Sequence, residues 1–161
     1  MKEMRDLLAE HPFFESLSPT HLDLVAGCGK NVVFEAGRQI FREGEPAEYF
    51  YIIRHGKVAI DVYAPGLGNM SIQTLGEGEV LGWSWLVPPY EWRFDARAVE
   101  LTRAVALDGN CLRGKCEGDN ALGFQLLKKF SQVMAQRLEA TRMQLLDMYG
   151  TSMKGGGRKL S

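Results

Sequence analysis

The sequence predicts a mainly β protein with flanking helices, in which an antiparallel β-barrel or sandwich lies between two short N-terminal helices and one long C-terminal helix. Between residues 31 and 108, short runs of β-type residues alternate with glycine-containing turns. Residues 2–26 contain two short helical patterns. Residues 121–149 contain the longest periodic stretch, with apolar residues at steps of three and four.

Length and composition indicate one globular domain in 161 residues, 45% of them hydrophobic and 24% charged. The formal net charge of −1 gives no reason to expect nucleic acid or a membrane surface as a partner. No apolar stretch is long enough to span a membrane, and the first residues do not read as a secretory signal. We therefore expect a cytoplasmic protein.

The number and spacing of the cysteines and histidines indicate whether the chain can form disulfides or bind a metal or haem. Cys28, Cys111 and Cys116 are an odd number without a CxxC pair, which predicts neither a disulfide framework nor a zinc site. The three histidines share no metal-ligand spacing, so we expect no metal or haem cofactor. No catalytic triad, helical carboxylate pair or phosphate-binding loop is present, and we expect no enzymatic activity.

Residues 1–30 form a predicted helical segment. Met4, Leu7 and Leu8 share one helical face that ends before Pro12. The second helix begins after Ser18 as N-cap, with a proline in its first turn, and ends at one of the glycines near residue 27.

Residues 31–119 form the predicted β domain. The segment 57–62 alternates apolar and polar residues, as expected for a strand with one buried face. His55-Gly56 and residues 65–69 are predicted hairpin connections. One short helix is expected around Leu112 and Cys116.

The predicted C-terminal helix, 120–149, spans roughly 40 Å at 1.5 Å per residue, longer than a small barrel needs for cover. We predict that it pairs with a second copy; packing on its own barrel is the alternative. Asp119 or Asn120 would cap it, Gly150 would end it, and residues 150–161 would form a flexible tail. The residues predicted at the dimer interface are Leu127, Phe130, Met134, Leu138, Thr141 and Leu145.

Residues 76–99, called the cassette below, gather all three tryptophans and a Pro-Pro step between two strands. Gly82 is predicted to open a short helix through Trp83, Ser84 and Trp85. Free backbone N–H groups at such a helix start favour an anion or another polar ligand. A ligand site is therefore predicted here.

In this order, the elements resemble the cyclic-nucleotide-binding domain of the catabolite-activator (Crp/Fnr) family of regulators. The resemblance implies a jelly-roll-like barrel, a homodimer through the long helix and an effector site in the cassette. The family's DNA-binding domain has no counterpart after residue 149, so no direct DNA binding is expected. The matching residues are Gly37, Ile40, Glu43-Gly44-Glu45, Tyr49-Phe50-Tyr51-Ile52-Ile53, Gly56-Lys57-Val58 and Met134-Ala135-Gln136-Arg137-Leu138.

The cassette departs from the family where the charged ligand contacts should be. The family has a Gly-Glu pair that binds the ribose, where this chain has Gly82-Trp83, and Trp92 takes the place of the phosphate-binding arginine. Arg93 comes one position later and would face the other way in an extended strand. The resemblance therefore implies an unidentified small-molecule ligand, with cAMP and cGMP doubtful. The predicted ligand-binding residues are Gly82, Trp83, Ser84, Trp92, Arg93, Thr141 and Arg142.

Three hypotheses remain open at this point. The first is a stand-alone sensor domain that signals through a dimer helix to a protein partner. The second is a pseudo-sensor, in which Trp83 and Trp92 fill the pocket and the domain serves as a dimeric interaction module. The third is a weak cAMP or cGMP binder that uses Arg93.

Overall fold

The computed structural model describes residues 3–160, and the side chains of residues 3–150. Four α-helices flank or follow eight β-strands within this range. The helices are α1 (Met4–Ala9), α2 (Pro19–Ala26), α3 (Gly109–Gly118) and α4 (Asn120–Leu160). The strands are β1 (Gly29–Phe34), β2 (Gln39–Phe41), β3 (Tyr49–His55), β4 (Val58–Ala64), β5 (Gly68–Leu75), β6 (Val80–Leu81), β7 (Asp95–Ala98) and β8 (Thr102–Asp108).

The N-terminal helices form as the sequence predicts. α1 ends before Pro12, which opens a short 3₁₀ turn at Pro12–Phe14. The hydroxyl of Ser18 accepts a hydrogen bond from the His21 N–H and caps α2, whose C-cap is Gly27. The end of α1 before Pro12 and the start of α2 after Ser18 are therefore confirmed.

The strands form two four-stranded antiparallel sheets, in the orders β1-β8-β3-β6 and β2-β7-β4-β5. This arrangement is the predicted jelly-roll-like barrel. Hydrophobic side chains that the strand pattern turns inward, such as Phe50, Ile52 and Leu107, are fully buried.

One of the two expected hairpins is wrong. Residues 65–69 do connect a hairpin, since Ala64 pairs with Gly68 between β4 and β5. His55-Gly56 instead leads from β3 in one sheet to β4 in the other. Gly56 is needed there because its φ is +108° and a Cβ would lie 2.5 Å from Thr102 Oγ1.

The expected short helix near Leu112 is α3, and Asp119 Oδ1 accepts the Leu122 N–H at 3.1 Å as the expected cap of α4. Gly150 does not end α4, because the backbone stays helical to Leu160, where a loose tail was expected.

Within residues 3–160, no helix combines the length and the apolar character that crossing a membrane requires.

The chain divides into two compact units, the first reaching Leu127 and the second beginning at Lys128. On α4, Leu127, Leu138 and Leu145 are more than half exposed. Phe130 is fully buried within a single chain and so does not contribute to an exposed face. Met134 is half-buried.

The expectation of no disulfide is wrong, since Cys28 and Cys111 are bonded to each other. Their separation of 83 residues gives no local signal. The antiparallel register of β1 and β8 pairs Gly29 with Leu107 and so brings the segments beside these two cysteines together. Cys116 is the free cysteine.

Candidate functional site

The cassette begins where β6 pairs with β3 and the chain turns at Gly82, with a φ of +98°. A single hydrogen-bonded turn follows, in which the Leu86 N–H donates to the Trp83 carbonyl at 3.0 Å. The short helix predicted from Gly82 is therefore wrong, and with it the expectation of helix N–H groups for an anion. The peptide bond between Pro88 and Pro89 is cis.

Trp92 occupies the space beside Gly82. A Cβ built on Gly82 would lie 2.5 Å from Cη2 of the indole. The indole also lies parallel to the Phe41 ring, with centroids 3.6 Å apart, and is 4% exposed. Its backbone is fixed on both sides, because its N–H donates to Glu45 O and its carbonyl accepts from Gly44 N–H, at 2.9 and 2.8 Å. Trp92 is therefore locked at the position where the family's phosphate-binding arginine was expected.

The other two cassette tryptophans differ in exposure. Trp85 is fully buried and stacks on Phe50 with ring centroids 5.0 Å apart. Trp83 is half-buried, and its ring lies 5.7 Å from that of Phe94, which also neighbours Trp92. Phe94 thus joins two of the predicted site residues.

Ser84 lies between Trp83 and Trp85 in the sequence and is 2% exposed. No hydrogen-bond partner for its Oγ is found in the described part of the chain. A buried hydroxyl without a partner costs free energy, which a ligand offering a donor or an acceptor would recover. Ser84 is therefore the predicted site residue with an open hydrogen-bonding capacity.

The side chain of Arg93 is exposed and lines a surface depression with Glu43, Gly44, Pro89, Glu91 and Trp92. Trp92 and Phe94, on either side of Arg93 in the chain, are buried, so Arg93 faces solvent while its neighbours face the interior.

Thr141 and Arg142 lie on α4 in the second unit. The Thr141 hydroxyl donates to the Arg137 carbonyl at 2.9 Å, and Arg142 forms an ion pair with Glu139 at 3.5 Å. Both residues are exposed.

A cavity of about 310 Å³ lies on the side of Trp92 that faces Phe41 and β3. Four of its lining side chains are aromatic, two are carboxylates and none is a lysine or arginine. Burial, with smaller effects of Tyr49 and Glu48, raises the pKa of Tyr51 to about 12. Ionisation of the Tyr51 hydroxyl is therefore disfavoured. Its lining residues are Ile40, Phe41, Glu45, Pro46, Glu48, Tyr49, Tyr51 and Trp92.

Sequence reasoning placed Tyr49 and Tyr51 in the matching family pattern but not in a site. The alternation along β3, which buries Phe50 and Ile52 and leaves Tyr49 and Tyr51 half-buried, was a signal that both tyrosines share the other face. Among the side chains of residues 3–150, no group of three or more His, Cys, Asp or Glu is placed to hold a metal ion.

α3 contacts the cassette directly. The Arg113 guanidinium donates to the Trp85 carbonyl and lies 4.2 Å from the centre of the Tyr90 ring. A Cβ on Gly109 would lie 2.9 Å from Cβ of Trp85, so the start of α3 tolerates no side chain there. A movement of the cassette would therefore displace α3 as well.

Comparison with known proteins supports the fold. A putative cyclic nucleotide-binding protein from Geobacter metallireducens is 27% identical, with a TM-score of 0.76, over 86% of this chain and 99% of that one. A cyclic nucleotide-binding domain from Methylobacillus flagellatus is 18% identical, with a TM-score of 0.77, over 91% and 82% of the two chains. At that identity the second likeness shows the fold alone.

Sequence comparison supports the family. A CRP-like cAMP-activated global transcriptional regulator of Mycobacterium tuberculosis is 29% identical over 152 residues, or 94% of this chain. The chain spans 66% of that regulator, just under two thirds of its length. The profile of the cyclic nucleotide-binding domain matches residues 31–119, more than half of the chain. The chain therefore belongs to the cyclic nucleotide-binding domain family, as found in Crp-like regulators.

Proposed function

We propose that this domain is a regulatory sensor of the cyclic nucleotide-binding family whose effector is a small molecule other than cAMP or cGMP. The observation that carries the proposal is the buried indole of Trp92, packed between Gly82 and Phe41. A binding role without catalysis agrees with the way the family is defined.

Trp92 removes the charge that a cyclic phosphate requires. A charge-assisted hydrogen bond is worth about 1.5 to 3 kcal/mol net, so its absence alone weakens binding by about one to two decades. Trp83 provides no carboxylate for the ribose, and Arg93 points to solvent. Both polar contacts that the family resemblance implies are therefore replaced by apolar side chains.

The cavity beside Trp92 suggests the chemical class of the effector. Its aromatic walls suit a planar or apolar molecule, and Glu45 and Glu48 favour a neutral or positively charged one. Lys30 Nζ lies 4.8 Å from the centre of the Tyr49 ring, so this face of the aromatic wall already holds a cation, and a positive charge on the effector would lie on the side of Glu45 and Glu48. We therefore propose a neutral or cationic aromatic or aliphatic effector.

The proposed signal leaves the cassette through α3. Arg113 ties Trp85 and Tyr90 to α3, and Asp119 links α3 to the first turn of α4. An effector that prefers one cassette conformation would shift the conformational equilibrium of the cassette, α3 and the first turn of α4. α4 would transmit this change to a second copy or to a protein partner.

The test is a calorimetric titration with cAMP and cGMP, with tryptophan fluorescence recorded in parallel. We expect no heat and no fluorescence change. Binding at micromolar or tighter affinity would overturn the proposal. A double variant, Trp83→Glu with Trp92→Arg, restores both family contacts and is expected to gain binding, whereas Trp92→Phe as matched control is not.

The effector class is tested by thermal shift with paired compounds of similar shape, one cationic, one neutral and one anionic. Stabilisation by the cationic or neutral member that is lost in Glu48→Gln supports the proposed class. Preferential stabilisation by the anionic member would contradict it.

A second candidate function is a ligand-free interaction module. The stacking of Trp85 on Phe50 and of Trp92 on Phe41 favours it, because both indoles already have apolar partners. A compound screen in which nothing raises the melting temperature, together with an intact dimer, would favour this module over the sensor. Weak nucleotide binding through Arg93 remains a third reading, and unchanged binding in Arg93→Ala would exclude it.

A further inference from the structure

The disulfide between Cys28 and Cys111 joins the end of α2 to the start of α3. Cys28 follows the C-cap of α2, and Cys111 lies in the first turn of α3. Their Cα atoms are 5.7 Å apart, a separation at which a disulfide forms without moving the backbone. Cys28 is 8% exposed and Cys111 is half-buried.

Two other side-chain links run between the same elements. Lys115 Nζ on α3 donates to the Leu24 carbonyl at 2.6 Å. His21 Nε2 on α2 lies 3.2 Å from Asp119 Oδ2, and Asp119 also caps α4. The disulfide is therefore the covalent member of a set of links that hold α3 and the start of α4 on α2.

Hydrogen bonds also connect the segments that carry the two cysteines. The Asp108 N–H donates to the Cys28 carbonyl at 2.9 Å, and the Cys111 N–H donates to Asp108 Oδ1 at 3.0 Å. These bonds would keep the two thiols within reach of each other after reduction.

We propose that Cys28 and Cys111 form a reversible dithiol–disulfide site that exchanges with low-molecular-weight thiols and disulfides and controls how firmly α3 is held on α2. The proposal does not depend on the identity of the effector. Because α3 contacts Trp85 and Tyr90, the oxidation state of the pair would also reach the cassette.

The exchange balances in two steps. An external thiolate attacks the half-buried sulfur of Cys111, forms a mixed disulfide there and releases Cys28 as a thiolate that takes up a proton. A second external thiolate attacks the mixed disulfide, forms the external disulfide and releases Cys111. The net change consumes two external thiols and yields one external disulfide and two protein thiols.

Cys116 provides an internal reference. Burial, with the nearby carboxylates of Asp119 and Glu117, raises the pKa of its thiol above the usual value. The protonated thiol is a poor nucleophile, so Cys116 is expected to stay reduced while the pair exchanges.

The experiment equilibrates the full chain with glutathione and glutathione disulfide at stepped ratios, then alkylates free thiols and counts them by mass. With three cysteines in the chain, the count is expected to pass from three to one in a single step as the disulfide fraction rises. Peptide mapping should place the bond between Cys28 and Cys111. A bond involving Cys116, a pair that stays open in excess glutathione disulfide, or one that stays closed in excess glutathione would each overturn the proposal.

Hydrogen exchange shows whether the oxidation state of the Cys28–Cys111 pair changes the stability of α3 or leaves it unaffected. Reduction is expected to lower amide protection in residues 109–122 and to lower the melting temperature by roughly 5 to 15 °C. Cys28→Ser with Cys111→Ser should reproduce the reduced state, and Cys116→Ser should respond to glutathione like the parent chain. Equal protection of residues 109–122 in both states would overturn control of α3 even if the thiol count changes.

Discussion

The indole of Trp92 lies parallel to the phenyl ring of Phe41 at an interplanar angle of 5°. Phe41 lies in β2, far from the cassette in the sequence, and Trp92 lies inside the cassette, shortly before β7. Their contact, together with Gly82, places an aromatic cluster where the family resemblance implies a charged ligand contact.

Gly82→Ala should destabilise the protein by about 2 to 4 kcal/mol. About 1 to 2 kcal/mol arises from the positive φ, and the rest from displacing the Trp92 indole. The matched control is Gly37→Ala, which has a φ of +88° and no atom within 4 Å of its Cβ. In urea unfolding, Gly37→Ala should lower the free energy of unfolding only by the about 1 to 2 kcal/mol that arises from the positive φ. An equal decrease in Gly82→Ala would contradict the contact between Gly82 and Trp92.

Ser84→Ala should leave the free energy of unfolding unchanged or raise it by about 1 kcal/mol, because it removes a buried hydroxyl for which the described residues provide no partner. Ser71→Ala is the control, since Ser71 Oγ donates to Asp61 at 2.5 Å and its loss should destabilise. Chemical denaturation measures both. A clear destabilisation by Ser84→Ala would mean that the hydroxyl is already satisfied.

Asp119 should contribute to the pH dependence of stability. The hydrogen bond from the Leu122 N–H, aided by His21, lowers the pKa of Asp119 despite some opposing burial. A carboxyl with a lowered pKa stabilises the fold above its ordinary pKa of 3.8, and that contribution is lost as the pH falls through the lower folded value. Asp119→Asn, which keeps a capping side chain, should flatten this part of a denaturation series below about pH 4.

Tyr51 should ionise late and destabilise the fold in alkali. Its pKa of about 12 exceeds the ordinary value of 10.0, so the unfolded chain loses this proton first. The free energy of unfolding should fall as the pH rises from about 10 to about 12. Tyrosinate absorbance follows the titration, and Tyr51→Phe should remove the last-titrating tyrosine. A titration unchanged by this substitution would contradict burial as the cause.

Leu138→Glu should weaken the proposed dimer at least about tenfold, because the exposed leucine lies on the predicted seam of α4. Sedimentation equilibrium measures the dissociation constant. Gln132→Glu adds the same charge at an exposed polar position of the same helix and should leave the constant unchanged. An equal effect of both substitutions would point to net charge instead of the seam.

Residues close in sequence determined much of this protein. Ser18 and Pro19 set the start of α2, and Asp119 set the start of α4, because capping depends on neighbours within a few positions. The alternation along 57–62 correctly predicted a strand there, but its one buried face was wrong, because residues 58–61 of β4 are all buried. The alternation around Arg93 also predicted correctly that this arginine would face away from the cassette interior.

The tertiary structure alone decided the remaining features. The sheet to which β4 belongs depends on its pairing with β7, in which Val58 lies opposite Ala98. The bond between Cys28 and Cys111 joins residues 83 positions apart, and the single sequence holds no local signal for either contact. The extent of α4 past Gly150 and the place of Trp92 against Gly82 and Phe41 could not be read locally either. A helix end and an indole's partner are set by what packs around them, and that packing exists only once the chain has folded.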